Sequence, residues 1–148
     1  MRAKSYRDLE IYQLSRALVM KIHHMSLRLP KYEQYEEGSQ IRKSSKGVSS
    51  CIAEGYGRRR YKNEFIKFLV YAQASCDETE AHLDFIHQSG YVNDNDYDAL
   101  SDENDKLGRK INKFIQYVES QWNWKDRNDS RVTSNHERGT SNQQRATR

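Results

Sequence analysis

The fold is decided by residues 63–89, which read NEFIKFLVYAQASCDETEAHLDFIHQS. Apolar or small residues recur there at every third or fourth position, namely Phe65, Leu69, Ala72, Cys76, Thr79, Leu83 and Ile86. This spacing places them on one face of a helix. Asn63 is the expected N-cap, and Gly90 follows the expected end. We therefore predict one long amphipathic helix over this stretch.

Three more stripes of the same period lie on either side of this helix. The first is Ile11, Leu14, Leu18, Ile22, Met25 and Leu29, with Ser5 or Asp8 as a possible cap and Pro30 as the stop. After a polar link at 31–36, a second stripe begins near Glu37 and contains Ile41, Ser44 or Ser45, Val48 and Ile52, before Gly55 and Gly57. The last begins at Asp94 or Asp96 and contains Tyr97, Leu100, Asn104, Leu107, Ile111, Phe114, Val118 and Trp122.

Four amphipathic helices joined by short links predict an all-α fold, an antiparallel up-down-up-down four-helix bundle over residues 5–124. Residues 125–148 differ in composition: they are rich in Asn, Ser, Thr, Arg and Gln, and have six cationic residues against three carboxylates. Such a segment buries too little apolar surface to offset its ordering entropy. We predict a disordered basic C-terminal tail that carries most of the net charge of +4.

Enzymatic chemistry finds little support in the residues. A di-metal bundle site requires two Glu-x-x-His motifs, and the nearest match is a single Asp84-x-x-His87. Folding the second and third helices about Arg58 and Arg59 separates Cys51 from Cys76 by too much for a disulfide. Gly55-Tyr56-Gly57 follows a helix and lacks the third glycine of a dinucleotide loop. We expect no catalytic, cofactor or metal site and no small-molecule substrate.

A cluster of positive charge at the link between the second and third helices is the strongest local signal. It consists of Arg58, Arg59, Arg60, Tyr61 and Lys62, with Lys67 beyond. In one interpretation these residues contact nucleic-acid phosphates, and Tyr56 and Tyr61 stack on bases. In the other, the link is only solvated and its arginines neutralise Glu54 and the negative end of the second helix. The sequence leaves both open.

Four polar residues are predicted to have structural roles: Gln40, Arg42, Glu54 and Glu78. A carboxylate in the last turn of a helix opposes the helix dipole, so we expect Glu54 to pair with Arg58 or Arg59. The same hairpin brings Arg42 within one turn of Glu78, which predicts an ion pair between the two helices. The N-terminal residues contain no apolar run of the kind that predicts a signal peptide or a membrane span, so we expect a cytoplasmic protein.

Several of these segments resemble one known family. They are Tyr6–Ile11, Gln40–Lys43, Cys51–Arg58, Glu64–Leu69 and Ala74-Ser75-x-x-Glu78. The family is the four-helix bundle proteins first described in intervening sequences of bacterial 23S ribosomal RNA genes, and the resemblance covers about residues 5–122. Cys51 departs from it, because Asn is usual there.

The resemblance implies a bacterial cytoplasmic protein without known catalytic activity that self-assembles, as a ring of five bundles. The accessory protein of diversity-generating retroelements shares this architecture and binds nucleic acid and a reverse transcriptase, but this is an analogy of fold. We expect a homo-oligomeric interaction module that binds structured RNA or a nucleic-acid-associated protein. The alternatives are a protein-binding assembly without nucleic acid and, with little support, a metal-dependent enzyme. Aromatic residues beside the stripes favour self-association, namely Tyr12, Phe68, Phe85 and Trp122.

Overall fold

The computed structural model describes residues 3–124, and every regular element in this range is helical. A short 3₁₀ turn at Tyr6–Asp8 precedes five α-helices. They are α1 (Glu10–Ser26), the one-turn α2 (Lys31–Gln34), α3 (Glu37–Gly57), α4 (Lys62–Gln88) and α5 (Asp94–Gln121). The predicted disorder of residues 125–148 lies outside the described residues and stays a prediction.

The four long helices form the antiparallel up-down-up-down bundle that the sequence predicts. α3 packs on α4, α4 on α5, and α1 against both α3 and α5, so the apolar stripes face one shared core. All seven stripe residues of α4 are buried, as predicted. On α5 the stripe also includes the buried Ile115, which the prediction missed. Trp122 is only 8% exposed and packs edge-on against Phe65, which confirms its predicted place in the last stripe and removes it from the aromatic residues expected to favour self-association.

Hydroxyl groups cross the core between helices at two places. Ser15 of α1 and Ser49 of α3 lie 2.8 Å apart, oxygen to oxygen. Thr79 of α4 donates a hydrogen bond of 2.9 Å to Ser44 of α3. The small side chains of α3 therefore allow close approach and also supply polar contacts that depend on the register of the helices.

Helix boundaries differ from the predictions at their caps. Ser5 and Asp8 form a capping box on the 3₁₀ turn, whereas α1 begins after Leu9 without a side-chain cap. α4 starts at Lys62, one residue before the predicted cap Asn63. The cap of α5 is Asn93, whose side-chain oxygen accepts from the backbone N–H of Asp96 at 2.8 Å. Asp94 and Asp96, the predicted caps, instead occupy the first turn, where the helix dipole favours carboxylates.

The link between α1 and α3 contains the short helix α2, where the sequence predicted only a polar connection. Pro30 precedes this helix as its N-cap residue. Gln34 donates from its side-chain amide to the carbonyls of Leu27 and Leu29, at 2.9 Å each. At the other end of the bundle α3 and α4 are joined by the tight link 58–61, where the basic residues lie.

Candidate nucleic-acid interface

The basic turn, residues 58–62, is closed by backbone bonds that continue out of α3. The N–H of Arg58 donates to the carbonyl of Glu54, and the N–H of Tyr61 donates to the carbonyl of Arg58 at 2.9 Å. The backbone at Tyr61 is extended, with φ of −108° and ψ of 103°, and α4 starts at the next residue. The turn therefore has a defined backbone on which its side chains are displayed.

Arg58 and Arg59 both contact other side chains of the bundle, although the Arg58 side chain remains 53% exposed. The Arg58 guanidinium lies 4.6 Å from the centre of the Phe68 ring and 3.4 Å from a Glu64 carboxylate oxygen. Arg59 lies 4.1 Å from the Tyr56 ring centre and 5.4 Å from that of Trp124, and it donates to the Tyr56 carbonyl. These contacts orient both side chains and reduce the charge they can offer to a ligand.

Two tryptophans that follow α5, Trp122 and Trp124, contact this turn. The indole N–H of Trp122 donates to the carbonyl of Arg59 at 2.9 Å. Together with the Trp124 ring near the Arg59 guanidinium, this contact joins segments that are more than sixty residues apart in sequence. The sequence analysis missed the pairing, and only the placement of Trp122 at the end of the last stripe hinted at it.

Arg60, Lys62 and Lys67 are exposed, and so is Tyr61, at 63%. The Arg60 guanidinium lies 5.8 Å from the centre of the Tyr61 ring. Lys67 follows on α4, with its ammonium nitrogen 5.9 Å from the Tyr71 ring centre. Arg58 is exposed as well, but it is engaged by Glu64 and Phe68, so these four side chains are the exposed part of the predicted set that lies outside that ion pair.

Tyr56 cannot stack on a base as the sequence analysis suggested. It is 6% exposed, its hydroxyl donates to the carbonyl of Ala3 at 3.1 Å, and its ring meets Phe65 edge-on. Its position four residues after the buried Ile52 continues the apolar stripe of α3. Tyr61 is therefore the tyrosine of this turn that a nucleotide could reach.

The predicted ion pairs of the structural polar residues do not form. Arg42 donates to the Ser26 hydroxyl and to the Gln34 carbonyl instead of pairing with Glu78. Glu78 lies 3.6 Å from His82, which also contacts Glu37 at 2.8 Å. Glu54 is exposed, and its expected partner Arg58 pairs with Glu64. Gln40 is exposed on α3.

Arg42 nevertheless has a structural role, because its two bonds tie α3 to the end of α1 and to α2. The two bonds also explain the missing pair with Glu78, because they hold the Arg42 guanidinium against α1 and α2. The predicted register of the α3–α4 hairpin was also slightly wrong. The Ser44–Thr79 bond and the closeness of Gly47 to Ser75 place the midpoint of the α3–α4 hairpin near residue 61, a few residues later than the predicted midpoint at 58–59.

A polar groove of about 540 Å³ between α4 and α5 is a second feature that the sequence analysis missed. Asn104 lies at its base, donating to the carbonyl of Cys76 at 3.0 Å and to Glu80 at 3.1 Å, and Ser101 also donates to Glu80. Asn104 interrupts the apolar stripe of α5, and this interruption was the available signal. The bonds hold α4 and α5 together through polar contacts at this level of the bundle.

The residues weighed for catalysis are occupied by other contacts. Asp84 accepts a hydrogen bond from the Tyr97 hydroxyl at 2.6 Å, and His87 stacks on the Tyr97 ring and contacts Asp94 at 2.7 Å. Burial raises the pKa of the Cys76 thiol to about 12, which opposes thiolate formation at neutral pH. Both cysteines are unbridged. Within residues 3–124 no group of three or more His, Cys, Asp or Glu side chains could hold a metal ion.

None of the helices within residues 3–124 combines the length and apolar character needed to cross a membrane.

Fold and surface together define the class of the protein: an all-α, antiparallel four-helix bundle that displays a basic turn at one end. The chain belongs to the 23S rRNA-intervening sequence protein family, whose family model matches residues 7–113. This confirms the resemblance found in the sequence.

A crystal structure of a protein of unknown function from the S23 ribosomal protein family of Bacteroides thetaiotaomicron has a similar fold. Its TM-score is 0.66 at 18% sequence identity, and the match covers 72% of this chain and 95% of that one. None of the curated proteins matches this chain. Neither of the two matches names a catalytic activity.

Proposed function

We propose that this protein is a non-enzymatic, homo-oligomeric interaction module of the cytoplasm that binds structured RNA through its basic turn. The observation that carries the proposal is the outward display of Arg60, Lys62 and Lys67 around an exposed tyrosine. Glu64, the carboxylate in the first turn of α4, already pairs with Arg58. The charge of the three outward cations therefore stays available to phosphates.

Assembly would strengthen such a small site. A ring of five bundles, which the resemblance implies, would repeat the turn once in each subunit. Several weak contacts on one RNA would then act together, since the second and later contacts become intramolecular. Light scattering should therefore give a mass several times the 17.5 kDa of one chain. A mass of one chain at micromolar concentrations would remove the oligomer from the proposal.

RNA binding is tested with a triple variant of the turn. Replacing Arg60, Lys62 and Lys67 with Gln should weaken RNA binding. It should also lower the slope of log Kd against log salt concentration by roughly 2 to 3, because three fewer phosphate contacts release fewer counterions. The matched control replaces Lys43, Lys46 and Lys106, which are exposed elsewhere on the bundle, and has the same net charge. Equal effects of the two variants would show that only overall charge matters.

A protein-binding assembly without nucleic acid is the second candidate function. It is favoured by the outward face of α4, where Val70, Tyr71 and Phe85 are 46%, 46% and 56% exposed. Exposed aromatic residues of this kind are enriched at protein interfaces. If the chain binds no RNA at low salt but still assembles, this candidate takes precedence. If the partner is a nucleic-acid-associated protein, it would be recovered from cells together with RNA. Nuclease treatment would then distinguish binding to that protein from binding to the RNA.

A further inference from the structure

The basic turn divides into an inner half that the fold uses and an outer half that it does not. Arg58 and Arg59 are held by Glu64 and by the rings of Phe68, Tyr56 and Trp124. Arg60, Tyr61 and Lys62 are exposed and take no part in these contacts. The sequence treats the five residues alike, but a ligand at the outer three would leave the contacts of Arg58 and Arg59 with the bundle in place.

We propose that Tyr61, flanked by Arg60 and Lys62, binds an unpaired nucleotide of the RNA, with the base against the tyrosine ring and the adjoining phosphates at the two cations. This inference rests on the RNA-binding function proposed above and names the structural class of RNA that the turn selects. It also identifies Tyr61 as the residue that determines the selection.

The support of the turn makes Tyr61 suitable for stacking. Its N–H is bonded to the Arg58 carbonyl, and the neighbouring Arg59 carbonyl accepts the bond from Trp122. A tyrosine side chain has few rotatable bonds, so an anchored backbone already fixes most of its position. Binding therefore costs little ordering entropy at this residue.

Unpaired nucleotides fit this arrangement better than a duplex does. In a duplex, each base already stacks on its neighbours and offers only its edges in the grooves. In loops, bulges and single strands the bases can turn outward and stack on aromatic side chains. Two cations next to one tyrosine in the chain can meet a short piece of backbone that continues past a stacked base. A duplex would meet the same cations but leave the ring unused.

The test uses the full-length chain and fluorescence anisotropy with a labelled RNA of about twelve nucleotides, single-stranded or annealed to its complement. The wild type should prefer the single strand. Tyr61→Ala should weaken single-strand binding by roughly 5- to 100-fold, because one base loses its stacking partner. Tyr61→Phe keeps the ring and should bind within about 2-fold of the wild type.

Two controls separate stacking from charge. Tyr35→Ala removes a tyrosine that is 74% exposed before the other end of α3, beside Glu36, and should leave binding unchanged. The double variant Arg60→Gln with Lys62→Gln should lower the slope of log Kd against log salt concentration for the single strand by roughly 1.4, the value for two phosphate contacts. Circular dichroism of each variant confirms that the bundle is intact, as expected for exposed positions.

The outcomes distinguish the two proposals. Equal affinity for both RNAs together with no effect of Tyr61→Ala would overturn the inference while leaving RNA binding through phosphates in place. A loss of affinity in Tyr61→Phe as large as in Tyr61→Ala would also overturn it, because the hydroxyl and not the ring would then be used. No binding of either RNA by the wild type would overturn the proposed function, and the inference with it.

Discussion

At Gly55, α3 approaches α4 so closely that an added methyl group has no room. A Cβ at this position would lie 3.0 Å from the Cβ of Phe68, 3.4 Å from a ring carbon of Phe65 and 3.4 Å from the Phe65 carbonyl oxygen. The Phe68 Cβ and the Phe65 carbonyl are fixed to the backbone and cannot rotate away. Gly55→Ala must therefore move the two helices apart by a few tenths of an ångström.

The expected cost follows from two opposing terms. Overpacking a well-packed interface costs roughly 1–3 kcal/mol. Replacing glycine with alanine in a helix recovers about 0.8–1.0 kcal/mol of helix propensity. A glycine in open space isolates the second term. Gly108 lies within α5, and a Cβ there would meet nothing within 4 Å. Gly108→Ala should thus stabilise the bundle by about 0.8–1.0 kcal/mol.

The difference between the two variants is the quantity to measure, since helix propensity cancels in it. Urea unfolding followed by circular dichroism should place Gly55→Ala roughly 1–3 kcal/mol below Gly108→Ala in free energy of unfolding. The slope with urea should be alike in both, showing that the midpoint change reflects stability. If Gly55→Ala is as stable as Gly108→Ala, the close packing of α3 on α4 at this point is wrong.

Three further predictions concern the turn, the core thiol and the tail. Arg59→Gln should cost roughly 1–2 kcal/mol, because it loses two aromatic contacts and a hydrogen bond, whereas Arg60→Gln should stay within about 0.5 kcal/mol of the wild type in urea unfolding. In the folded state burial raises the pKa of Cys76 to about 12, so the thiol ionises at a lower pH in the unfolded chain than in the folded one. The resulting stabilisation of the folded state is complete below the unfolded pKa and is lost as the pH rises towards 12. Cys76→Ala should remove about 1.4 kcal/mol per pH unit from the alkaline slope of unfolding free energy, and an unchanged slope would exclude this assignment. Ending the chain after Trp124 should move the melting temperature by only a few degrees, while Trp122→Ala in the full chain should cost roughly 3–5 kcal/mol; a large drop on truncation would mean that the tail packs on the bundle.

The helices and their buried faces could be predicted because burial of an apolar stripe requires a period near 3.6, and α4 shows it throughout. The residues that cap the helices were harder to predict than the helices themselves. Asn93, Asp94 and Asp96 compete within one turn, and each is a good cap, so the sequence does not identify which one forms the bond. The missing Arg42–Glu78 pair has another origin, since Arg42 donates to Ser26 and Gln34, which come from α1 and α2 rather than from α4.

The basic turn shows the limit of local sequence reasoning. All of its cations are adjacent in the chain, so composition treats them as equivalent. What separates Arg59 from Arg60 is Trp122 and Trp124, which arrive from the far end of the chain. Tyr56, by contrast, could have been placed inside from its spacing after Ile52. The presence of the turn was therefore predictable, and the residues that it leaves outward were not.

The hydrogen bonds between hydroxyl groups of neighbouring helices affect how much sequence change the core can accept. Ser15 and Ser44 donate to a carbonyl one turn earlier in their own helix, those of Tyr12 and Ile41, and Thr79, which donates to Ser44, has the Ser75 carbonyl within 2.8 Å as an alternative acceptor. When a partner across the core changes to alanine, such a hydroxyl keeps a local acceptor and is not stranded in the interior. Single substitutions at these sites can then accumulate one after another without a simultaneous compensating change. A bundle built this way tolerates stepwise change at these core positions without losing its polar contacts all at once.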